Sequence, residues 1–241
     1  MKRILYCTLM FMWLAPGWGQ VQFLGFMDAG SSTVSSGFSL KPSVTGTYNF
    51  RQFHGSTGLQ WTFSEAERQI FSGWFIHGGF DFTMEEQPFS AILFFRSNPY
   101  SGRTAEHNLG TVIRHERKYL EIHLGYHARL YTLDYKTEAT GGPVPGADLR
   151  LWEPRNFIYR GTLSLHEQPA IWNLSATVTN YDHFLIQQET NPMLSMAGHY
   201  RISDGIRIHS SVWYQGAGML NLHANHYGFY FRTGIQWQLG R

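Results

Sequence analysis

Arginine is the residue whose placement in this chain could do chemistry. Arg51, Arg96, Arg114, Arg129, Arg160, Arg201, Arg207 and Arg232 all fall on the polar parity of stretches that alternate apolar and polar residues. His77, His123, His127, His166, His199 and His209 share that parity, and only Asp81, Glu116 and Glu121 oppose them, leaving a formal excess of five positive charges. Guanidinium groups gathered on one face bind carboxylate or phosphate through a planar fork of donors. Two histidine spacings suggest other chemistry. His123-x-x-x-His127 converges on one ion only in a helix; on a strand the two lie about 13 Å apart at roughly 3.3 Å per residue. No cysteine or acid cluster accompanies them, so neither a metal site nor a cofactor is expected. His54-Gly55-Ser56 and His209-Ser210-Ser211 place imidazole and hydroxyl two apart on one strand face, where a third group could orient the histidine for nucleophilic attack. The spacing alone is common, and no enzyme is expected.

The elements that must carry these side chains read as long strands. Across residues 120–132, Leu120, Ile122, Leu124, Tyr126, Ala128, Leu130 and Thr132 alternate with Glu121, His123, Gly125, His127, Arg129 and Tyr131. Side chains alternate faces along a strand, so one side is apolar and the other charged. The run exceeds an ordinary soluble strand and matches the roughly 9–11 residues that a tilted strand needs to cross a bilayer. Tyr227, Phe229, Phe231, Thr233, Ile235, Trp237 and Leu239 repeat the pattern near the C-terminus. Working back from there, the expected strands are 226–239, 205–215, 193–203, 170–181, 155–166, 119–133, 107–116, 88–97, 69–84, 55–64, 40–52 and 21–29. These make twelve, with ten to fourteen open because Pro42 interrupts a weakly patterned region. Short turns at 84–88, 116–118, 166–169 and 203–205 fall at one end, and longer segments at 134–149, 182–192 and 216–225 at the other. The expected fold is all-β, a closed antiparallel up-and-down barrel spanning a membrane.

Composition fits that surround. Only 15% of residues are charged, 16% are aromatic and 25 are glycine, a mixture poor for a watered surface and suited to strands facing lipid. Lys2 and Arg3 precede an apolar run to Ala15, and Gly17-Trp18-Gly19 ends in small residues. This is the layout of a cleavable signal peptide over 1–19, leaving a barrel domain over 20–241. The only cysteine, Cys7, lies within that segment. Without Lys2 and Arg3 the charges balance at 17 of each sign, which excludes nucleic acid as an expected partner.

In signal, strand length, alternation and turn asymmetry the chain resembles bacterial outer-membrane β-barrel proteins. Tyr227-Gly228-Phe229 and Trp213-Tyr214-Gln215-Gly216-Ala217-Gly218 resemble small, uncharacterised barrels of Bacteroidota-like type. The resemblance implies residence in a bacterial outer membrane, among its lipids. The residues expected to line the lumen are Arg51, Arg96, Arg114, His123, His127, Arg129, Arg160, His199, Arg201, Arg207, His209 and Arg232. The function expected from them is passive passage of small, preferably anionic solutes. Two alternatives stand beside it. One is a plugged barrel serving as an accessory subunit of an envelope secretion or uptake complex, with envelope proteins as partners. The other is a lipid hydrolase using a His-x-Ser pair. The segments 182–192 and 216–225 are apolar enough either to dock a partner or to fold back and constrict the bore.

Overall fold

The computed structural model describes residues 20–32, 38–64, 71–99, 104–133, 149–167, 170–187, 191–217 and 225–239. The expected signal segment 1–19, residues 134–148 and residues 218–224 lie outside them. Twelve antiparallel strands pair with their neighbours in chain order. They are β1 (Gln20–Ser32), β2 (Phe38–Phe50), β3 (Phe53–Trp61, continued by Phe63–Ser64), β4 (Phe71–Met84), β5 (Gln87–Pro99), β6 (Thr104–Arg117), β7 (Leu120–Leu133), β8 (Leu149–Ser164), β9 (Trp172–Thr179), β10 (Met193–Ser203), β11 (Ile206–Ala217) and β12 (Asn225–Leu239). β1 pairs with both β2 and β12, so the sheet closes and leaves no edge strand. The interruption of β3 has a cause across the ladder. Both of its pieces pair with β2, and the pairing lapses at Lys41-Pro42, where Pro42 has no N–H to give.

The ladders fix which way each side chain points. Leu93, Leu124, Leu163 and Met196 face outward and are half or more exposed. They belong to an apolar outer wall far larger than the few hundred Å² that a watered monomer tolerates. The buried apolar residues instead fill the bore. Phe94, Val112 and Ile158, each near the middle of its strand, pack with Tyr181 and Ile186. Met193, Trp213 and Tyr230 form a second cluster.

At one end the strands join through tight turns: Arg51-Gln52, Glu85-Glu86, Lys118-Tyr119 and Asp204-Gly205. Arg51 was expected on a strand facing the lumen. It is instead an exposed turn residue with φ 53°, its guanidinium 5.2 Å from the Phe50 ring, because β2 ends at Phe50. At the other end, 170–181 is expected as strand and 182–192 as a loop that either docks a partner or folds back to constrict the bore. Here β9 stops at Thr179, and residues 180–187 turn into the bore. The side chain of Asn180 causes the break. Its amide donates to Phe157 O at 2.7 Å and accepts from Tyr159 N at 3.0 Å, replacing backbone partners on β8, while Asn180 N keeps its bond to Tyr159 O at 3.2 Å.

Closure between β1 and β12 depends on small residues. A Cβ on Gly234 would come within 2.2 Å of the Phe26 ring and 2.3 Å of Gly25 O, whereas one on Gly25 would meet nothing within 4 Å. Gly234→Ala should therefore reduce the fraction of protein that migrates as a compact band on unboiled gels, while Gly25→Ala leaves that fraction unchanged. Equal behaviour of the two would contradict the register of the closing seam.

Candidate functional site

The bore is organised around the inward segment 180–187. The segment is a compact turn: Asp182 Oδ1 accepts from Phe184 N at 2.8 Å and Leu185 N at 2.7 Å, and Gln187 N returns to Asn180 O at 2.7 Å. Its outer surface meets three arginines of the wall. Arg232 donates to Asp182 Oδ2 at 3.0 Å, Arg129 to Ile186 O at 3.0 Å, and Arg96 to Leu185 O at 3.4 Å. Aromatic contacts complete the seat. The Phe184 ring stands edge-on to Phe75 at 5.0 Å, and the Tyr181 hydroxyl bonds to His123 Nδ1. Asp182 is on the loop, outside the spanning strands. Burial alone would raise its carboxyl, but Arg232 and the two backbone N–H groups hold it below the ordinary carboxylate range, so it is ionised at neutral pH.

The arginines are paired more fully than their parity implied. Arg232 grips Asp28 at 2.5 and 2.8 Å. Arg129, 3% exposed, lies 3.1 Å from Glu106 and 3.9 Å from Glu153. Arg114 reaches Ser90 at 2.9 Å and Asp81 at 3.7 Å, and Arg160 lies 3.9 Å from Glu121. His123 Nε2 is 2.6 Å from Glu121. Asp28, Glu106, Glu153 and Asp182 are the inward acids that sequence reasoning missed, and Lys41 is a missed cation, in register with Asp28 on the neighbouring strand. The expected charge excess of five therefore falls to about one among the described residues, because Arg51 leaves the bore and these five groups join it. The charge is also uneven. Arg201 and Arg207 face each other across β10 and β11 near the turn end, and none of the ion pairs among the described residues falls on them. Next to them, the His199 and His209 rings stand 5.6 Å apart. A cavity of about 360 Å³ opens at the same end, lined by Asp81, Ser90, Arg114 and Glu116 among others.

Between the inward segment and the wall, several polar groups are incompletely matched. Arg96 Nε, both ring nitrogens of His127, and the side-chain amide of Gln187 are buried without a hydrogen-bond partner among the described residues. Each such group costs roughly 1–3 kcal/mol. Each buried apolar side chain of the segment, Tyr181, Phe184 and Ile186, contributes roughly 1.5–3 kcal/mol in the other direction.

The His-x-Ser pairs do not assemble. His209 Nε2 bonds to Gln236 at 3.0 Å, and Ser211 Oγ accepts from Trp213 at 2.7 Å. His54 Nδ1 faces Asp81 at 3.4 Å, and no histidine–serine hydrogen bond is formed by either motif among the described residues.

No protein-family model matches the sequence, and no curated protein matches it significantly. Among solved structures the chain is similar to KdgM porin, with a TM-score of 0.56 and 9% identity over 91% of this chain and 99% of that one. It is similar to NanC porin at a TM-score of 0.53 and 10% identity, over 91% and 100% of the two chains. A KdgM porin in complex with disordered oligogalacturonate gives 0.53 and 12% identity, over 92% and 99%. At these identities the likeness is one of fold: this is a closed, twelve-stranded, porin-type β-barrel.

Breaking a buried ion pair by removing one partner costs about 3–5 kcal/mol, whereas exposed or lumen-solvated charges cost about 1 kcal/mol or less. Glu106→Gln should lower the unfolding free energy in detergent by about the first amount, and Arg207→Gln by no more than the second. Denaturant titration followed by tryptophan fluorescence reads both.

Proposed function

We propose that this chain is an outer-membrane channel that passes small solutes passively and prefers anions. Export would rest on the signal segment 1–19, with the tight turns on the periplasmic side. The observation that carries the reading is the inversion of surfaces: an exposed apolar outer wall around a bore lined by arginine, histidine and carboxylate. Such a molecule is stable only where lipid surrounds it, and its polar interior has a use where solutes cross. The anion preference draws on Arg201 and Arg207, set side by side in the turn-end half of the bore with no ion pair to another described residue. Charges in a low-dielectric tube raise the local concentration of counter-ions. The oligogalacturonate of a structurally similar porin makes acidic saccharides the first solutes to try.

The inward segment gives one specific support to a second reading, a filled barrel acting as a scaffold or accessory subunit among envelope proteins. Planar-bilayer recording separates the two. The channel reading predicts discrete conductance, a reversal potential displaced toward anions under a salt gradient, and a smaller displacement in an Arg201→Gln/Arg207→Gln variant. Oligogalacturonate should reduce the current more than a neutral glucose oligomer of equal length. Silence from verified, inserted barrels would favour the scaffold.

Because a charge at mid-bilayer on the lipid face costs about 2–4 kcal/mol, Leu124→Arg should impair assembly. Ser175→Arg, on the inward face of β9, should not. The yield of heat-modifiable protein in membranes measures the difference.

A further inference from the structure

We propose that residues 181–187 form a displaceable plug, and that carboxylate solutes displace it by competing with Asp182 for Arg232; the proposal deepens the anion-channel reading and rests on it. Three observations carry it. First, the segment presents one carboxylate and two carbonyl oxygens to three arginines of the wall, so it occupies those donors as an anionic solute would. Secondly, the segment is internally complete. Its turn is closed by Asp182 Oδ1 and by the Asn180–Gln187 backbone bond, so it can leave the wall as a unit without unravelling. Thirdly, Arg96 Nε, His127 and the Gln187 amide, all more than nine-tenths buried, have no partner among the described residues while the segment is seated. Displacement gives each of them access to water or to the incoming solute.

Arg232 is the point of competition. Asp28 holds one side of its guanidinium from β1 in register, and that pair persists whether the plug is in or out. Asp182 takes a further bond at 3.0 Å from Nη2, the nitrogen that also serves Asp28, and a solute carboxylate can replace it on that donor with a charge of the same sign. A neutral solute brings no charge to that donor. The plug therefore couples passage to the charge of what passes.

The test is thiol accessibility under the plug. Val112 is 2% exposed and packs against the segment from the wall, and the chain's only cysteine, Cys7, lies in the expected signal segment. Val112→Cys in the folded barrel should react slowly with a water-soluble maleimide. Adding Asp182→Asn should raise that rate ten-fold or more, and citrate should raise it several-fold over chloride at equal ionic strength. Citrate should add nothing once Asp182 is replaced. Rates unaffected by Asp182→Asn would overturn the plug, and rates raised by the variant but not by citrate would overturn the competition. Neither readout needs ion flow, so silent bilayers with responsive labelling would reject the channel while leaving the plug standing. Conductance with unresponsive labelling would do the reverse.

Discussion

One guanidinium ties the closing seam of this barrel to its contents. Arg232 on β12 pairs in register with Asp28 on β1, residues separated by 204 positions in the chain, and its Nη2 is shared between Asp28 and Asp182 of the inward segment. The seam is the most non-local pairing in the fold, and its closure entropy must be met before its ladder forms. It is also where a slip by one residue would be easiest. Such a slip would send Arg232 from the bore to the apolar wall, where its charge has no partner. The Arg232–Asp28 pair thus selects one register for a contact that backbone bonds alone would leave degenerate. Asp182 then takes the donors that closure leaves over, so the filling of the bore depends on the seam being correctly made.

The wall could be read from the sequence because its signal is local and periodic. Alternation over long runs gave twelve strands, and most expected bounds lie within three residues of those observed. The bore was less readable, for reasons that particular residues show. Glu106 lies one position outside the expected strand 107–116. Glu153 lies before the expected 155–166, and the ladder between β7 and β8 shifts register near Pro154, which moves parity by one. Asp28 alternates with Leu24 and Phe26 on an inward face that is itself partly apolar, so parity gave it no distinction. The sequence left open whether segment 182–192 docks a partner or folds back into the bore, because Tyr181, Phe184 and Ile186 have the same composition whether they meet a partner, lipid or the barrel's own wall. Nothing local marks Asn180 as the residue whose side chain replaces a ladder bond.

The distribution of charge follows from the same geometry. A bore lined by eight uncompensated cations would repel itself across a low-dielectric tube, so most guanidiniums near the middle are neutralised by wall or loop carboxylates. Towards the turn end, where the bore opens to water, screening allows Arg201 and Arg207 to stand side by side. The pairing that stabilises the waist and the bare charge that would attract anions are therefore separated along the axis.

That separation constrains how such a barrel could be regulated. Its wall is a closed ring of ladders in which each strand is held on both sides, so widening the bore would break hydrogen bonds along a whole strand at once. A ring of twelve strands is wider than one that side chains alone fill and narrower than a water-filled porin. The remaining space holds water, solute or loop, and material carried on a loop can change without disturbing the ladders. Residues 180–187 are that material. They are joined to the wall through Thr179 and Asn180, whose side chains bond to Phe157 and Tyr159 beside one remaining backbone bond, Asn180 N to Tyr159 O at 3.2 Å. The junction between rigid wall and replaceable filling falls where the ladder passes from main chain to side chain.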